Sequence, residues 1–356
     1  MNKNYFENRR KKFDVELKEE FIENVPKNAL IELTNACNHA CIFCYNPEMK
    51  RSISSIDINI FKTFVSKAAS EGLEEVGLYS TGEPFMTKNL NEFIQIAKQS
   101  GLKRVYITSN GALASLNKVK VAVEAGLDSI KFSINAGSKE TYKMIHGYDD
   151  FEKVIKNLKD IYNYKKKKSI NLQLLCSFIY TNITKKEITT FKKKYQKYFD
   201  EEIRFIKAVN QGGHTKERSE ILTSELVSDN EDKTKLISKN DFKPCGMLWD
   251  RLHLTAEGNL TACCVDYEND LVYKKFSEKE KIKDQFNSDK IVELRNKHLN
   301  NNLENTICYN CIYNQSAKYS KIDQNIEISE KKINKVNKKK IESLKNRIQN
   351  FKKISN

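Results

Sequence analysis

The sequence has 356 residues, of which 39% are hydrophobic, so the chain is long enough for one large domain and one small domain. Its net charge is +15, but residues 317–356 alone hold 12 basic and 4 acidic side chains, and no recognisable nucleic-acid-binding module carries the remaining excess. The charged N-terminus lacks the apolar segment of a secretion signal, and no apolar run is long enough to span a bilayer, so we expect a cytoplasmic protein without nucleic-acid or membrane partners.

Six β-rich segments alternate with amphipathic helical segments over residues 29–214, after an N-terminal helix predicted over residues 1–28. Gly72, Gly101 and Gly126 each stand just before the next strand, where a helix commonly ends. Strands joined by crossover helices run parallel, and six units are too few to close an eight-stranded barrel. We therefore predict an α/β fold, a partial (β/α)6 TIM-like barrel. Its strands are Ala29–Leu33, Glu75–Tyr79, Arg104–Thr108, Ser129–Ile134, Ile170–Ile179 and Glu202–Ala208.

After the sixth strand the alternation stops. Residues 215–244 are polar and connect the barrel to a small second domain, which we predict over residues 245–316. There the segments Arg251–Thr255 and Leu260–Cys264 flank Gly258 and predict a β-hairpin.

The remaining residues, 317–356, predict a basic, Lys-rich helical tail. Apolar residues recur along one side of residues 326–354, which is typical of an amphipathic helix. Such a terminal helix either docks on the protein or frays, and a coiled coil with a partner is a less favoured alternative.

Three cysteines, Cys37, Cys41 and Cys44, form a C-x3-C-x2-C motif directly after the first predicted strand, at the barrel end where active sites lie. Disulfides are rare in a reducing compartment. We therefore expect the nine cysteines of the chain to be metal ligands or free thiols. Three thiolates bind three corners of a [4Fe–4S] cluster and leave the fourth iron open for chemistry. A regulatory thiol pair and a zinc site are the alternatives, although His39 is cramped as a fourth zinc ligand.

The segment C-N-H-A-C-I-F-C after a first strand resembles the signature loop of the radical S-adenosylmethionine (SAM) superfamily. The resemblance implies that Cys37, Cys41 and Cys44 hold a [4Fe–4S] cluster whose open iron binds the amino and carboxylate groups of SAM. It also implies that an electron from the reduced cluster cleaves SAM to methionine and a 5′-deoxyadenosyl radical. Phe43 matches the aromatic position that lies against the adenine, and packing within the loop is an equally compatible role.

Polar motifs follow further strands in the order that the superfamily has them. The segment Ser80–Pro84 resembles the Gly-Gly-Glu element that binds the SAM amino group, although Thr81 replaces its first glycine. Each match alone is typical of a turn, whereas their ordered occurrence after consecutive strands favours the resemblance. The residues it assigns to SAM, besides Phe43, are Gly82, Glu83, Asn110, Ser133 and Asn135.

A second set of cysteines, in the pattern C-x12-G-x4-C…C-x2-C, consists of Cys245, Cys263, Cys308 and Cys311. The pattern resembles the twitch extension of the SPASM/twitch subgroup, which implies one auxiliary [4Fe–4S] cluster with four cysteine ligands. Gly258 turns the hairpin so that its flanking cysteines reach one metal site. Four thiolates also suit zinc, which stays an alternative. Cys176 and Cys264 are left over, Cys176 as a small buried residue or a substrate-facing thiol.

The resemblance implies a reaction in which the radical abstracts a hydrogen atom from the substrate and the auxiliary cluster accepts an electron. The expected function is two-electron oxidation of a small polar alcohol, a sugar or cyclitol, with a flavodoxin- or ferredoxin-type electron donor. The alternative is peptide maturation by cross-linking or oxidation, which the 36 residues before Cys37 disfavour because they are few for a leader-binding domain. A non-enzymatic iron–sulfur electron carrier is a remote alternative that leaves the ordered polar motifs unexplained.

The sequence assigns no catalytic base. The segment Asn210–His214 follows the sixth strand and resembles an Asn-x-Gly-Gly loop of related proteins. Its His214 is a candidate proton acceptor, while a solvent-exposed loop histidine is the favoured interpretation.

Overall fold

The computed structural model describes residues 21–226, 242–325 and 335–355. Six parallel strands form the first part of the fold, and each overlaps the strand predicted at that place. The predicted α/β fold with an open, six-stranded barrel-like sheet is therefore confirmed. The strands are β1 (Asn28–Ile31), β2 (Glu75–Gly77), β3 (Arg104–Ser109), β4 (Ser129–Ser133), β5 (Gln173–Tyr180) and β6 (Arg204–Lys207).

Helices connect these strands and cover the sheet. Gly72, Gly101 and Gly126 follow three of the helices with φ of 114°, 89° and 105°, as predicted for residues that end a helix in the left-handed region. The helices are α1 (Ile58–Ser70), α2 (Leu90–Gln99), α3 (Leu116–Glu124), α4 (Lys139–His146), α5 (Phe151–Lys168), α6 (Asn182–Lys185), α7 (Ile188–Tyr195) and, after β6, α8 (Lys216–Thr223).

The cysteine-rich second region adds three short strands, β7 (Leu252–Leu254), β8 (Asn259–Thr261) and β9 (Val272–Lys275). Strand β7 pairs in parallel with β1, and β8 and β9 continue the sheet in antiparallel fashion. The order is β6-β5-β4-β3-β2-β1-β7-β8-β9, so the barrel and the predicted hairpin share one nine-stranded sheet. The helices of this region are α9 (Met247–Asp250), α10 (Ile282–Phe286), α11 (Asp289–Leu299) and α12 (Ile307–Tyr313).

The main core lies on one face of the parallel strands. Ile31, Val76, Ile107, Ile130 and Leu174 share this face by register and have no exposed side-chain surface. This rigid sheet holds the loops at its carboxyl edge, where the cysteine motif begins.

The C-terminal helix α13 (Lys335–Ser355) docks on the barrel instead of fraying. Its Leu344 and Phe351 are fully buried in a second apolar cluster that includes Ile42 and Phe43. The predicted start of this helix, over residues 326–334, lies outside the described residues.

The N-terminal helix predicted over residues 1–28 falls mostly on residues 1–20, outside the described part of the chain. Residues 21–27 contain no helix, and Asn28 already begins β1, so the prediction is wrong for this stretch. Ile22 is held in place because it exchanges two backbone hydrogen bonds with the Asn287 amide. Within the described ranges, no helix has the length and apolar character that crossing a membrane requires.

Candidate functional site

The cysteine loop, residues 37–44, follows β1 at the carboxyl edge of the sheet and carries Cys37, Cys41 and Cys44. Burial raises the pKa of all three thiols, that of Cys37 to about 12, because desolvation disfavours the thiolate. Thiols of this kind ionise when a metal takes the place of the proton. The loop therefore fits metal ligation better than the presentation of a reactive free thiol.

In the part of the chain that the structure describes, the cysteine sulfurs do not form the tight group of a preformed zinc site. Tetrahedral zinc, with Zn–S bonds of about 2.3 Å, holds its sulfurs roughly 4 Å apart. In the described part of the chain, the ligand atoms that group within 4.8 Å of one another are those of His39, Cys41 and His146, and neither cysteine set forms such a group. Three and four thiols are the donor sets that iron–sulfur clusters use.

Two cations of α13 hold the backbone of the cysteine loop. Lys340 donates to the carbonyl oxygen of Cys37 over 2.8 Å, and Arg347 donates to that of Ala40 over 2.5 Å. Their charges lower the pKa of nearby thiols and so oppose the effect of burial. Sequence reasoning missed these contacts because they span more than 300 residues.

Two groups from other parts of the chain contact Cys44. Arg218 of α8 donates to its carbonyl oxygen over 3.0 Å. The hydroxyl of Tyr267, in the loop after β8, lies 3.4 Å from its sulfur and donates to Gln211 over 2.6 Å. Tyr267 therefore connects the cysteine loop to the second cysteine region.

The predicted Gly82 and Glu83 form the loop after β2 and pack against the cysteine loop. A Cβ on Gly82 would lie 2.7 Å from the carbonyl oxygen of Ala36, so the close backbone approach requires glycine. The buried Glu83 carboxylate accepts hydrogen bonds from Ser109 Oγ (2.8 Å) and from the backbone N–H of Asn110 (2.9 Å). This carboxylate joins the β2 and β3 loops, so its contact with a SAM ammonium group stays a prediction.

Asn110 follows β3, Ser133 ends β4 and Asn135 follows it, so the three lie on the same sheet edge. The Asn110 amide donates to Asn38 of the cysteine loop over 2.8 Å. The buried Asn135 accepts from Ile179 N over 2.8 Å and lies 3.2 Å from Ser133 Oγ. Internal contacts occupy these side chains, and the contacts with SAM that the resemblance implies for them stay predictions.

Phe43 is 7% exposed and belongs to the apolar cluster beneath α13. Its neighbours there include Ile42, Ile145, Leu344 and Phe351. The packing role that the sequence left open is thus present, and contact with an adenine is untested.

The second cysteine set lines an apolar cavity of about 50 Å³. All four predicted ligands reach it, while the leftover Cys264 and Cys176 do not. Burial raises the pKa of Cys311 to about 12 and raises that of Cys308, which again favours metal in place of the proton. Four thiols around an apolar cavity fit a cluster whose every iron has a protein ligand. The cysteines that line the cavity are Cys245, Cys263, Cys308 and Cys311.

The loop Asn210–His214 contacts this second site. The Asn210 amide donates to the carbonyl oxygen of Cys311 over 3.1 Å. Gly213 has φ of 91°, and a Cβ there would lie 2.7 Å from Asn310 Cβ, so the loop fits closely against α12. The Asn-x-Gly-Gly segment therefore supports the second cysteine region in addition to facing the barrel mouth.

His214 is not the solvent-exposed loop residue that the sequence favoured. Its ring stacks on Tyr45 with centroids 4.5 Å apart and meets Tyr267 edge-on at 6.0 Å. Burial lowers its pKa to about 4, so the imidazole is neutral at pH 7. Its Nε2 is buried, and no described residue gives it a hydrogen bond.

Arg51 joins the two regions through a buried charge network. Its side chain is 1% exposed, pairs with Glu32 (2.9 Å) and Glu257 (2.8 Å), and donates to the carbonyl oxygen of Tyr267 (3.0 Å). These carboxylates hold its pKa above the usual range. Removing Arg51 would leave the buried Glu32 carboxylate without its counter-charge, which costs about 3–5 kcal/mol.

Two family models match the chain. One, described as the radical SAM superfamily, matches residues 31–185, and another, SPASM, described as an iron–sulfur cluster-binding domain, matches residues 245–312. An uncharacterized protein of Methanocaldococcus jannaschii is 30% identical over 51% of this chain and 57% of its own length. A probable GTP 3′,8-cyclase of Saccharolobus solfataricus is 37% identical over 36% of this chain and 41% of its own length. The chain thus spans about half the length of these curated relatives.

Solved structures share the fold at low sequence identity. BtrN in complex with AdoMet and 2-DOIA has a TM-score of 0.52 and 17% identity, covering 86% of this chain and 100% of BtrN. Streptococcus suis SuiB bound to the precursor peptide SuiA has a TM-score of 0.58 and 13% identity, covering 81% of this chain and 71% of SuiB. AnSMEcpe with bound AdoMet has a TM-score of 0.56 and 14% identity, covering 92% of this chain and 100% of that chain. At these identities the likeness shows the fold.

Proposed function

Because the chain belongs to the radical SAM superfamily and carries an iron–sulfur cluster-binding extension, we propose that it cleaves SAM reductively and oxidises a small polar alcohol, a sugar or cyclitol, by two electrons. The observation that carries the proposal is the second cavity, whose four thiols leave no iron of a bound cluster open to substrate. A cluster of that kind serves electron transfer, which a net oxidation needs.

The residues divide into two sites on the same edge of the sheet. When bound, the first cluster supplies the electron that cleaves SAM, and the second accepts the electron that the substrate gives up. The first cluster is held by Cys37, Cys41 and Cys44, and the second by Cys245, Cys263, Cys308 and Cys311. SAM is contacted by Phe43, Gly82, Glu83, Asn110, Ser133 and Asn135.

The reaction balances without an added oxidant beyond SAM and the second site. The carbinol carbon would give a hydrogen atom to the SAM-derived radical, the hydroxyl would give a proton to a base, and the second site would take up one electron as the carbonyl forms. His214 lies at the mouth, but with a pKa of about 4 it is a weak base at neutral pH, so we assign no base. A flavodoxin- or ferredoxin-type protein supplies the first electron.

The test is deoxyadenosine formation by anaerobically reconstituted, reduced protein with SAM. Three separate additions are compared: a polar-metabolite fraction, a peptide fraction and GTP, the last because curated relatives are named GTP cyclases. Stimulation by the polar fraction, with a carbonyl product, supports the proposal. The Cys41→Ala variant is the control, since it lacks one ligand of the first site.

Each other outcome points to a different function. Stimulation by the peptide fraction alone makes the protein a peptide maturase, and stimulation by GTP alone makes it a cyclase. Absence of deoxyadenosine under every condition, with both clusters reducible, would leave an iron–sulfur electron carrier.

A further inference from the structure

Helix α13 has a buried side and a strongly basic outer side. Lys340, Leu344, Arg347 and Phe351 recur at the three- and four-residue spacing of one helix face, and this face contacts the barrel and the cysteine loop. The described side chains 338–354 include seven basic residues and one acidic residue, Glu342. The exposed basic residues are Lys338, Lys339, Lys345, Lys352 and Lys353, which we name the lysine face.

The helix geometry places the lysine face directly outside the cysteine loop. Lys338, Lys345 and Lys352 are seven residues apart, so they form a single stripe, and at 100° per residue this stripe lies roughly 120–180° around the helix from Lys340 and Arg347. A helix with its side chains is about 10–12 Å across. The stripe therefore stands one helix diameter from the carbonyl groups that Lys340 and Arg347 bind.

Other described parts of the chain besides α13 contact the cysteine loop. Tyr267 and the second cysteine region contact it from the barrel mouth, and Arg218 of α8 contacts Cys44. On the side of α13, the loop is separated from solvent by the helix itself. The outer side of α13 is therefore one surface from which a protein can deliver an electron to the first site across a single helix.

We propose that the lysine face is the docking surface for an acidic, flavodoxin-class one-electron donor. The inference rests on the proposed function, because the donor serves the same first cluster. In the step, the donor loses one electron and the first cluster gains it, and no atom is transferred. Redox encounters bury small interfaces, and opposite charges raise their association rates by 10-fold to 1,000-fold at low salt.

The test is the rate at which a reduced acidic flavodoxin reduces the first cluster, followed by stopped-flow absorbance and electron paramagnetic resonance. Lys338→Glu, Lys345→Glu and Lys352→Glu are combined in one variant. The second-order rate constant for reduction of this variant by flavodoxin should be at least about tenfold lower than that of wild type at low salt. The difference should become smaller at high salt, because salt screens the charges. Reduction by dithionite should keep its wild-type rate within about twofold.

The matched control reverses three exposed lysines at the opposite edge of the sheet. Lys167 and Lys168 stand in the last turn of α5, and Lys193 in the last turn of α7. Reversing these three should leave the flavodoxin rate within about twofold of wild type. An equal loss in this control would overturn the proposal, since general charge rather than the lysine face would then govern the rate.

A wild-type flavodoxin rate in the Lys338/Lys345/Lys352 variant would also overturn the proposal. Circular dichroism and iron content show whether that variant folds, and a second variant with glutamine at the three positions should give a smaller loss if charge is the cause. A different result would overturn the proposed function. If dithionite-reduced wild-type protein forms no deoxyadenosine from SAM, the proposed function is wrong, whatever the rate of reduction by flavodoxin.

Discussion

The Nδ1 atom of His146 lies 3.3 Å from the sulfur of Cys41. At the other side of the ring, Nε2 faces the backbone N–H and the amide of Asn135, each at 3.4 Å. Both of these Asn135 groups are donors, so Nε2 accepts and the proton is on Nδ1. Burial also lowers the His146 pKa well below its usual value, which keeps the ring neutral. His146 therefore donates an N–H to a cysteine of the first site.

Replacing His146 with phenylalanine should lower the reduction potential of the first cluster. A hydrogen bond to a cysteine sulfur stabilises the reduced, more negative state more than the oxidised state. Losing about 1 kcal/mol of that preference shifts the potential of this one-electron couple by roughly 40 mV. A potentiometric titration monitored by electron paramagnetic resonance measures the shift.

The matched control for this change is Tyr142→Phe. Tyr142 stacks on the His146 ring with centroids 4.0 Å apart but gives the sulfur no hydrogen bond. The Tyr142→Phe variant should therefore keep the wild-type reduction potential of the first cluster. An unchanged potential in His146→Phe would exclude the hydrogen bond as a tuning contact.

Single cysteine substitutions should separate the two sites. Cys41→Ala and Cys308→Ala should each lower the iron content of the reconstituted protein by roughly four atoms per chain, because each removes a ligand of one cluster. Cys264→Ala and Cys176→Ala should keep the wild-type iron content, since neither side chain reaches the second cavity. Iron analysis and Mössbauer spectra check this, and a loss of four irons in Cys264→Ala would contradict the assignment of Cys263.

Gly82→Ala should destabilise the protein by about 1–3 kcal/mol or more. The added Cβ meets backbone carbonyl groups at the start of the cysteine loop, and backbone atoms cannot swing away as a flexible side chain does. Thermal unfolding followed by circular dichroism measures the loss. Gly246→Ala is the control, because the nearest atom to its added Cβ is Asp250 Oδ2 at 3.9 Å. Equal melting temperatures for the two variants would refute the close approach at Gly82.

His214 should make the fold sensitive to acid. Its pKa is about 4 in the folded protein and about 6.5 when unfolded, so between these values the unfolded chain binds the proton first. The contribution of the neutral His214 ring to the free energy of unfolding is present above about pH 6.5 and is lost as the pH falls toward about 4. At about pH 5, about 2 kcal/mol of it has been lost.

The measurement is urea unfolding of wild type and His214→Gln at pH 7.5 and pH 5. Wild type should lose about 2 kcal/mol more between the two pH values than the variant does. If both proteins lose the same free energy of unfolding between pH 7.5 and pH 5, His214 is in contact with water, contrary to its stacking on Tyr45.

The sequence was sufficient for features that depend on local pattern. The six strands, the three glycines that end helices and both cysteine sets follow from hydrophobic periodicity or short spacing. The structure places those elements as predicted, and it brings the four cysteines of the second set to one cavity although 45 residues separate Cys263 from Cys308.

The missed residues act through contacts between distant parts of the chain. Nothing near Arg51 in the sequence signals that it pairs with Glu257, and the spacing of Arg347 gives no hint of the cysteine loop. Such contacts depend on how helices and loops pack at the sheet edge, which periodicity does not specify. The burial of His214 was missed for the same reason, since its neighbours Tyr45 and Tyr267 come from two other loops.

The parallel pairing of β7 with β1 has a consequence for how the chain can be divided. Ala29, Leu30 and Ile31 face Leu252, His253 and Leu254 across the sheet, so β1 has a partner on each side. A fragment that stops before residue 245 would expose β1 as an unpaired, apolar edge, which invites aggregation. The barrel and the extension should therefore fold cooperatively, and swapping the extension for that of another protein would succeed only if the graft brings its own matching strand.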